Sequence, residues 1–259
     1  MRFRVGPQII RFLPMNFSAR ACGLLLLGVS AWPVSAAAQN DGPGPVTLSG
    51  GIDVVSDYRF RGVSRSNGKV AVQPSLIVDH DSGLYAGLLG STLPDSPRLG
   101  RFELGLIGGF ESEVASGTRA GARLTWYSYP GGAGARDYFD VSGSLSHDIG
   151  PLSARALVAY APKQAALVSE DNLHVRLNLS SGIPNSPVTL SAGIGYSDGA
   201  LAAVAADGDY IDWSLGAAYV VGDLTFKAEY IDTDVKKTGV KALDKLVKPT
   251  LLFTLGVAF

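Results

Sequence analysis

The chain is predicted to fold as an all-β protein, a transmembrane antiparallel up-and-down barrel of about twelve strands. Three observations predict it. An export segment opens the chain, apolar and polar residues alternate with period two in run after run, and the last residue is an aromatic that completes such a run. Period two puts alternate side chains on opposite faces of a strand, so each run has one greasy and one polar face.

The export segment comes first. Arg2, Arg4, Arg11 and Arg20 make it basic, Leu24 to Val29 form an apolar run, and Ala36, Ala37 and Ala38 supply small residues for a signal peptidase. Cleavage is expected after Ala38, which makes residues 1–38 a signal peptide, 39–45 a short periplasmic lead-in and 46–259 the barrel. Met15 offers a second start that keeps every part of the signal. The apolar run is too short to cross about 30 Å of hydrocarbon. Cys22 precedes that run without the small-residue context of a lipoprotein.

The remaining elements follow in order, near residues 46–61, 69–79, 84–92, 101–111, 119–129, 137–147, 151–161, 172–181, 187–197, 209–220, 223–232 and 249–259. In the first, Leu48, Gly50, Ile52, Val54, Ser56, Tyr58 and Phe60 form the outward set. Asp53, Val55, Asp57, Arg59 and Arg61 belong to the inward one. Leu104, Leu106 and Phe110 alternate with Glu103, Ile107 and Glu111; Leu124 and Trp126 alternate with Arg123 and Thr125. Phe139 and Val141 alternate with Asp140 and Ser142, Leu173 and Val175 with His174 and Arg176. Trp213 and Leu215 neighbour Asp212 and Ser214, and Phe226, Ala228 and Tyr230 alternate with Lys227 and Glu229. An even strand number places both termini in the periplasm. Short turns around residues 79–83, 148–150 and 222–223 then fall on the periplasmic side, and the longer connections 161–171, 198–209 and 233–248 on the other. Tyr58, Phe60, Trp126, Tyr160, Tyr196 and Tyr230 lie near strand ends, where aromatic girdles are expected. In the final strand Leu251, Phe253, Leu255, Val257 and Phe259 are apolar at every second position, the pattern expected of a barrel-assembly signal.

Composition agrees. With 32 glycines, 17% charged residues and a net charge of −1 in 259 residues, the chain suits extended strands and lacks the basic excess of a nucleic-acid binder. Cys22 is the single cysteine, so the mature chain is expected to have no disulfide or thiolate metal site. His80, His147 and His174 are far apart, and neither metal-ligand spacing nor a phosphate-binding loop is present, so no cofactor is implied.

The segment Val55-Ser56-Asp57-Tyr58-Arg59-Phe60-Arg61-Gly62-Val63-Ser64 resembles the opening motif of the TorF family of proteobacterial porin-like proteins. Gly83 to Ser91 and Tyr127-Ser128-Tyr129-Pro130-Gly131 are similar to two further landmarks of that family. The resemblance is specific in the first third and looser after about residue 137. It implies an outer-membrane barrel with pore activity, and it brings no substrate and no catalytic residues.

In the predicted register Asp53, Asp57, Arg59, Arg61, Glu103, Arg123, Asp140, Arg176, Asp212, Lys227 and Glu229 face the lumen as candidate pore-lining residues. One reading is a mixed-charge constriction that filters small polar solutes. The other is a set of ion pairs that fills a narrow barrel. The leading expectation is a passive porin-like channel for small polar or ionic solutes. A non-conducting barrel acting through its outer loops is the alternative, with lysines 236, 237, 241, 245 and 248 as a basic rim. An outer-membrane enzyme is third: His147 lies on the opposite face from Ser144 and Ser146, and no G-x-S-x-G motif is present. Expected partners are outer-membrane lipids, lipopolysaccharide, the barrel-assembly machinery and small polar solutes, with no nucleic acid.

Overall fold

The computed structural model describes residues 45–259; the expected signal peptide and nearly all of the lead-in lie outside them. Fourteen strands are present: β1 (Val46–Val55), β2 (Arg59–Phe60), β3 (Val63–Ser64), β4 (Ala71–His80), β5 (Leu84–Ser96), β6 (Gly100–Ala115), β7 (Thr118–Ser128), β8 (Tyr138–Ile149), β9 (Leu152–Ala161), β10 (Asn172–Gly182), β11 (Val188–Gly199), β12 (Asp209–Val221), β13 (Leu224–Thr233) and β14 (Thr250–Ala258). A single helical turn, α1 (Lys241–Asp244), lies between the last two. β1 and β4 to β14 pair antiparallel with their sequence neighbours and close into one barrel of twelve strands; β2 and β3 form a separate hairpin.

Closure joins β1 to β14, with Gly51 opposite Ala258 and Val55 opposite Thr254. Beyond the last strand, Phe259 and Gly50 exchange both backbone hydrogen bonds at 2.9 Å. The Phe259 ring lies so close over Gly50 that a Cβ there would meet it at 2.7 Å. The terminal aromatic therefore covers a bare glycine at the seam, as aromatic rings elsewhere protect glycine in sheets. The barrel of the described residues has no open strand edge, which is what backbone in lipid requires.

Period two becomes inside and outside. Leu48, Leu106, Leu124, Leu145, Leu215 and Phe253 are exposed on the outer wall, while Asp53, Ile107, Arg123, Thr125, Ser142 and Lys227 are buried on the inner one. No helix among the described residues is long and apolar enough to cross a membrane, so any crossing is made by strands. Connections 81–83, 116–117, 150–151, 183–187 and 222–223 are short and share one end; 129–137, 162–171, 200–208 and 234–249 are longer and share the other.

Pro74 sits within β4, where it cannot donate to a ladder. The β4–β5 ladder accordingly stops at Ser75–Leu89. Side chains continue the join: Val72 N donates to Thr92 Oγ1 at 3.0 Å and Gln73 Nε2 to Ser91 Oγ at 3.3 Å.

The expected first strand, 46–61, is corrected by the structure. β1 ends at Val55, and the chain turns inward. Tyr58 and Phe60, expected as outward girdle residues, are 5% and 6% exposed in the interior. The other girdle candidates, Trp126, Tyr160, Tyr196 and Tyr230, are exposed on the outer wall. The physical reason is local. Asp57 accepts hydrogen bonds from Arg59 Nε (2.9 Å), Ser64 Oγ (2.5 Å), Ser66 Oγ (2.8 Å) and Gly68 N (3.1 Å), which winds residues 57–68 around one carboxylate. Arg61 and Gly62, with φ of 53° and 81°, form the turn between β2 and β3. A left-handed pair of this kind is unavailable to a continuing strand.

Candidate functional site

The site is the barrel interior at the end with the longer connections, and its centre is the β2–β3 hairpin. Phe60 meets two guanidinium groups: the Arg61 and Arg65 guanidinium carbons lie 4.8 Å and 4.0 Å from its ring centroid. Phe60 and Tyr127 pack edge to face with centroids 5.9 Å apart, and Tyr127 stacks on Tyr138 at 4.6 Å. Contacts of this kind add to the burial of the rings themselves. Arg65 Nη1 donates to Glu103 Oε2 and to the Tyr129 hydroxyl, each at 2.5 Å, and Nη2 donates to the Tyr138 hydroxyl at 3.3 Å. Tyr58 donates to the other oxygen of Glu103 at 2.5 Å. Burial, with the Glu103 carboxylate beside it, pushes the Tyr58 phenol well above its ordinary range, so it donates as a neutral group.

The hairpin reaches the facing wall as well. Arg59 Nη2 donates to the Lys248 carbonyl and to Thr250 Oγ1, both at 2.8 Å. Tyr210 donates to the Arg61 carbonyl at 2.8 Å, and Ser64 N donates to the Leu246 carbonyl at 2.8 Å. Residues 56–70 therefore span the lumen from β6–β8 to β12–β14.

The interior carries charge in pairs. Arg59 pairs with Asp57 (2.9 Å), Arg65 with Glu103 (2.5 Å), Arg155 with Glu111 (3.3 Å), Lys227 with Glu229 (2.8 Å) and Arg176 with Asp212. Arg61 Nη2 lies 3.5 Å from Asp140 Oδ2, at the outer limit of a hydrogen bond. Charges removed from water this far are tolerable because they are matched.

All the residues expected to face the lumen are on the interior face. Asp57, Arg59 and Arg61 lie on the inserted segment; Asp53, Glu103, Arg123, Asp140, Arg176, Asp212, Lys227 and Glu229 lie on the wall. Glu103 and Asp140 meet the hairpin directly, and Asp212 packs beneath Gly62, where an added Cβ would be 2.7 Å from the Asp212 Cβ. Lys227 and Glu229 pair on their own strand, away from it. Sequence reasoning missed Arg65, Arg155, Glu111 as a partner, and the hydroxyls of Tyr127, Tyr129 and Tyr138. Period two places Tyr127, Glu111, Tyr138 and Arg155 inward; Arg65 and Tyr129 lie in connections, whose course no period sets.

His174 Nδ1 and Ser197 Oγ are 2.9 Å apart and almost fully buried. An acyl-transfer pair needs a third group to orient the histidine, and His174 Nε2 has no partner among the described residues. His147 meets Thr118 Oγ1 at 2.8 Å on the exposed surface, and His80 contacts Ser82 in a turn. Among the described residues no group of three or more His, Cys, Asp or Glu could hold a metal ion. The connection 200–208 packs inward, with Ala202 and Ala205 against Tyr210 and, at the edge, Val63 of the hairpin.

A family model described as a bacterial protein of unknown function, Gcw_chp, matches residues 39–259. The chain belongs to the Gcw_chp family. No curated protein matches this Gcw_chp chain. Among solved structures it is similar to the NanC porin, with a TM-score of 0.54 and 13% identity over 82% of this chain and 99% of that one. It is also similar to the KdgM porin solved in complex with disordered oligogalacturonate, with a TM-score of 0.54 and 6% identity over 82% of this chain and 97% of that one. At such identities the likeness is one of fold: the Gcw_chp barrel has the architecture of bacterial outer-membrane porins. Its outer wall is apolar and its interior charged, as a strand-built membrane barrel requires.

Proposed function

We propose that the barrel is a narrow, porin-like outer-membrane channel through which small polar or ionic solutes diffuse passively, with residues 56–70 as its constriction. The observation that carries this reading is the β2–β3 hairpin, folded into a lumen lined with opposed charges and hydroxyls. Closely spaced charges of both signs set a transverse field, which selects polar solutes over apolar ones. A barrel of about twelve strands is wide enough to need such a device, since eight-stranded barrels fill with side chains and sixteen-stranded ones leave an open channel. The porin architecture supports the reading, as does the resemblance of residues 55–64 to the TorF opening motif. On the same reading the chain is exported through the periplasm, and the eleven candidate residues line the path.

Planar-bilayer recording of the refolded protein tests it. The expected result is discrete unit conductance steps, with a several-fold larger unit when residues 59–66 are replaced by a short Gly-Ser link. Silence from both proteins, each folded and heat-modifiable, overturns the channel. One observation favours a second reading, a non-conducting barrel that acts through its loops: the hairpin is bonded to both walls, at Glu103 and at Thr250. A wild type that stays silent while the excised form conducts selects that reading.

A further inference from the structure

Of the charged residues buried in the interior, two take part in no ion pair among the described residues: Asp53 on β1 and Arg123 on β7. Arg123 is the more demanding. It is 6% exposed, and its Nε and Nη1 have no hydrogen-bond partner. A buried guanidinium with idle donors is costly, because it has given up water without replacement.

Its neighbours are short of partners too. Arg123 stands directly opposite Gly109 on β6, and Gly109 stands opposite Tyr85 on β5. With no side chain at Gly109, the Tyr85 hydroxyl lies over that position, toward Arg123, and has no partner of its own. Thr125 Oγ1, two residues along β7, is likewise unpartnered. The nearby acids are Asp140, opposite Thr125 and already met by Arg61, and Asp79, which stands opposite Tyr85 on β4 and forms no ion pair with Arg123. Arg155 is matched by Glu111. Arg123 is left as a buried guanidinium with idle donors, and the Tyr85 hydroxyl beside it is equally unused.

We propose that Arg123 and Tyr85 form a binding subsite for a small monovalent carboxylate anion, on the solute path below the hairpin. A carboxylate accepts from both idle guanidinium nitrogens and from the phenol, and it gives Arg123 the counter-charge it lacks. The selected solute class is therefore small organic anions. The inference rests on the channel reading for its place on a path, while the binding itself does not require conduction.

Two measurements keep these apart. The first is saturation-transfer NMR of acetate on the full refolded barrel in detergent, at constant ionic strength. Saturable transfer is expected for the wild type and for Lys163→Gln on the exposed connection 162–171. Affinity should fall at least tenfold in Arg123→Gln and several-fold in Tyr85→Phe. The phenylalanine variant keeps the ring and covers the case in which Arg123→Gln does not fold. Absence of saturable transfer to the wild type, or unchanged affinity in folded Arg123→Gln or Tyr85→Phe, overturns the subsite. The second is the reversal potential across a potassium acetate gradient, expected to report anion preference that shrinks in Arg123→Gln. A barrel that binds acetate through Arg123 and never conducts overturns the channel and keeps the subsite.

Discussion

Gly62 has little freedom to change. Its φ is 81°, and an added Cβ would stand 2.7 Å from both the Asp212 Cβ and the Thr233 Cγ2. Gly62→Ala should cost about 1–3 kcal/mol through strain and overpacking, read as a lower urea midpoint for loss of the heat-modifiable form. Glu103 is the second such point, because it accepts from Tyr58, Arg65 and Tyr129. Glu103→Gln leaves the Arg65 charge without its acid and should cost about 3–5 kcal/mol. Tyr58→Phe leaves that pair in place and should cost about 1–3 kcal/mol. Equal losses in the same denaturation measurement would count against Glu103 as the hairpin's main anchor.

At the scale of elements, the connection 234–249 behaves separately from the wall. Asp244 accepts hydrogen bonds from Thr238 N (2.7 Å), Thr238 Oγ1 (2.9 Å) and Gly239 N (3.1 Å), which close the turn around α1. The Thr238 bonds, then Gly239 and Lys237, hold its carboxyl below the ordinary aspartate range, although some desolvation opposes them. A depressed carboxylate contributes stability above its unfolded value and loses it as pH falls through the folded one. Amide exchange at Thr238 and Gly239 should therefore speed up relative to neighbours in this acidic window, and Asp244→Asn should flatten the change. The lysines of this connection give a second prediction. If they funnel anions toward the lumen, replacing Lys236, Lys237, Lys241, Lys245 and Lys248 by Gln lowers anion preference in a salt gradient; an unchanged reversal potential removes that role.

At the scale of the molecule, stability comes from closure and from the lipid-facing wall. Leu106 is 52% exposed at the middle of the long strand β6. Leu106→Arg should cost about 2–4 kcal/mol if it lies near the bilayer midplane, while the same change at Val114, toward the short-turn end, should cost less. Equal costs in refolding titrations into lipid vesicles would argue against a membrane belt centred there. Phe259→Ala removes the ring over Gly50 at the seam and should slow barrel closure more than Leu251→Ala, followed by gel mobility during refolding.

Much of this was legible from residues alone. Alternation decides which side chains share a face, because a strand offers only two faces, and a one-residue slip would put Arg123, Asp212 and Lys227 into lipid. That is why the strand order, the long and short ends and the inward set could be read from the chain. Alternation is silent on where the backbone goes once a strand ends. Tyr58 and Phe60 continue the outward pattern of Leu48 to Val54, yet the Asp57 carboxylate and the left-handed turn at Arg61 and Gly62 draw them into the lumen. Only the tertiary structure decided that the first connection crosses the barrel, that Glu103 and three tyrosines receive it, and that Arg123 is left without a partner. Those outcomes depend on groups distant in sequence meeting across a closed wall, and no local period encodes which charges meet.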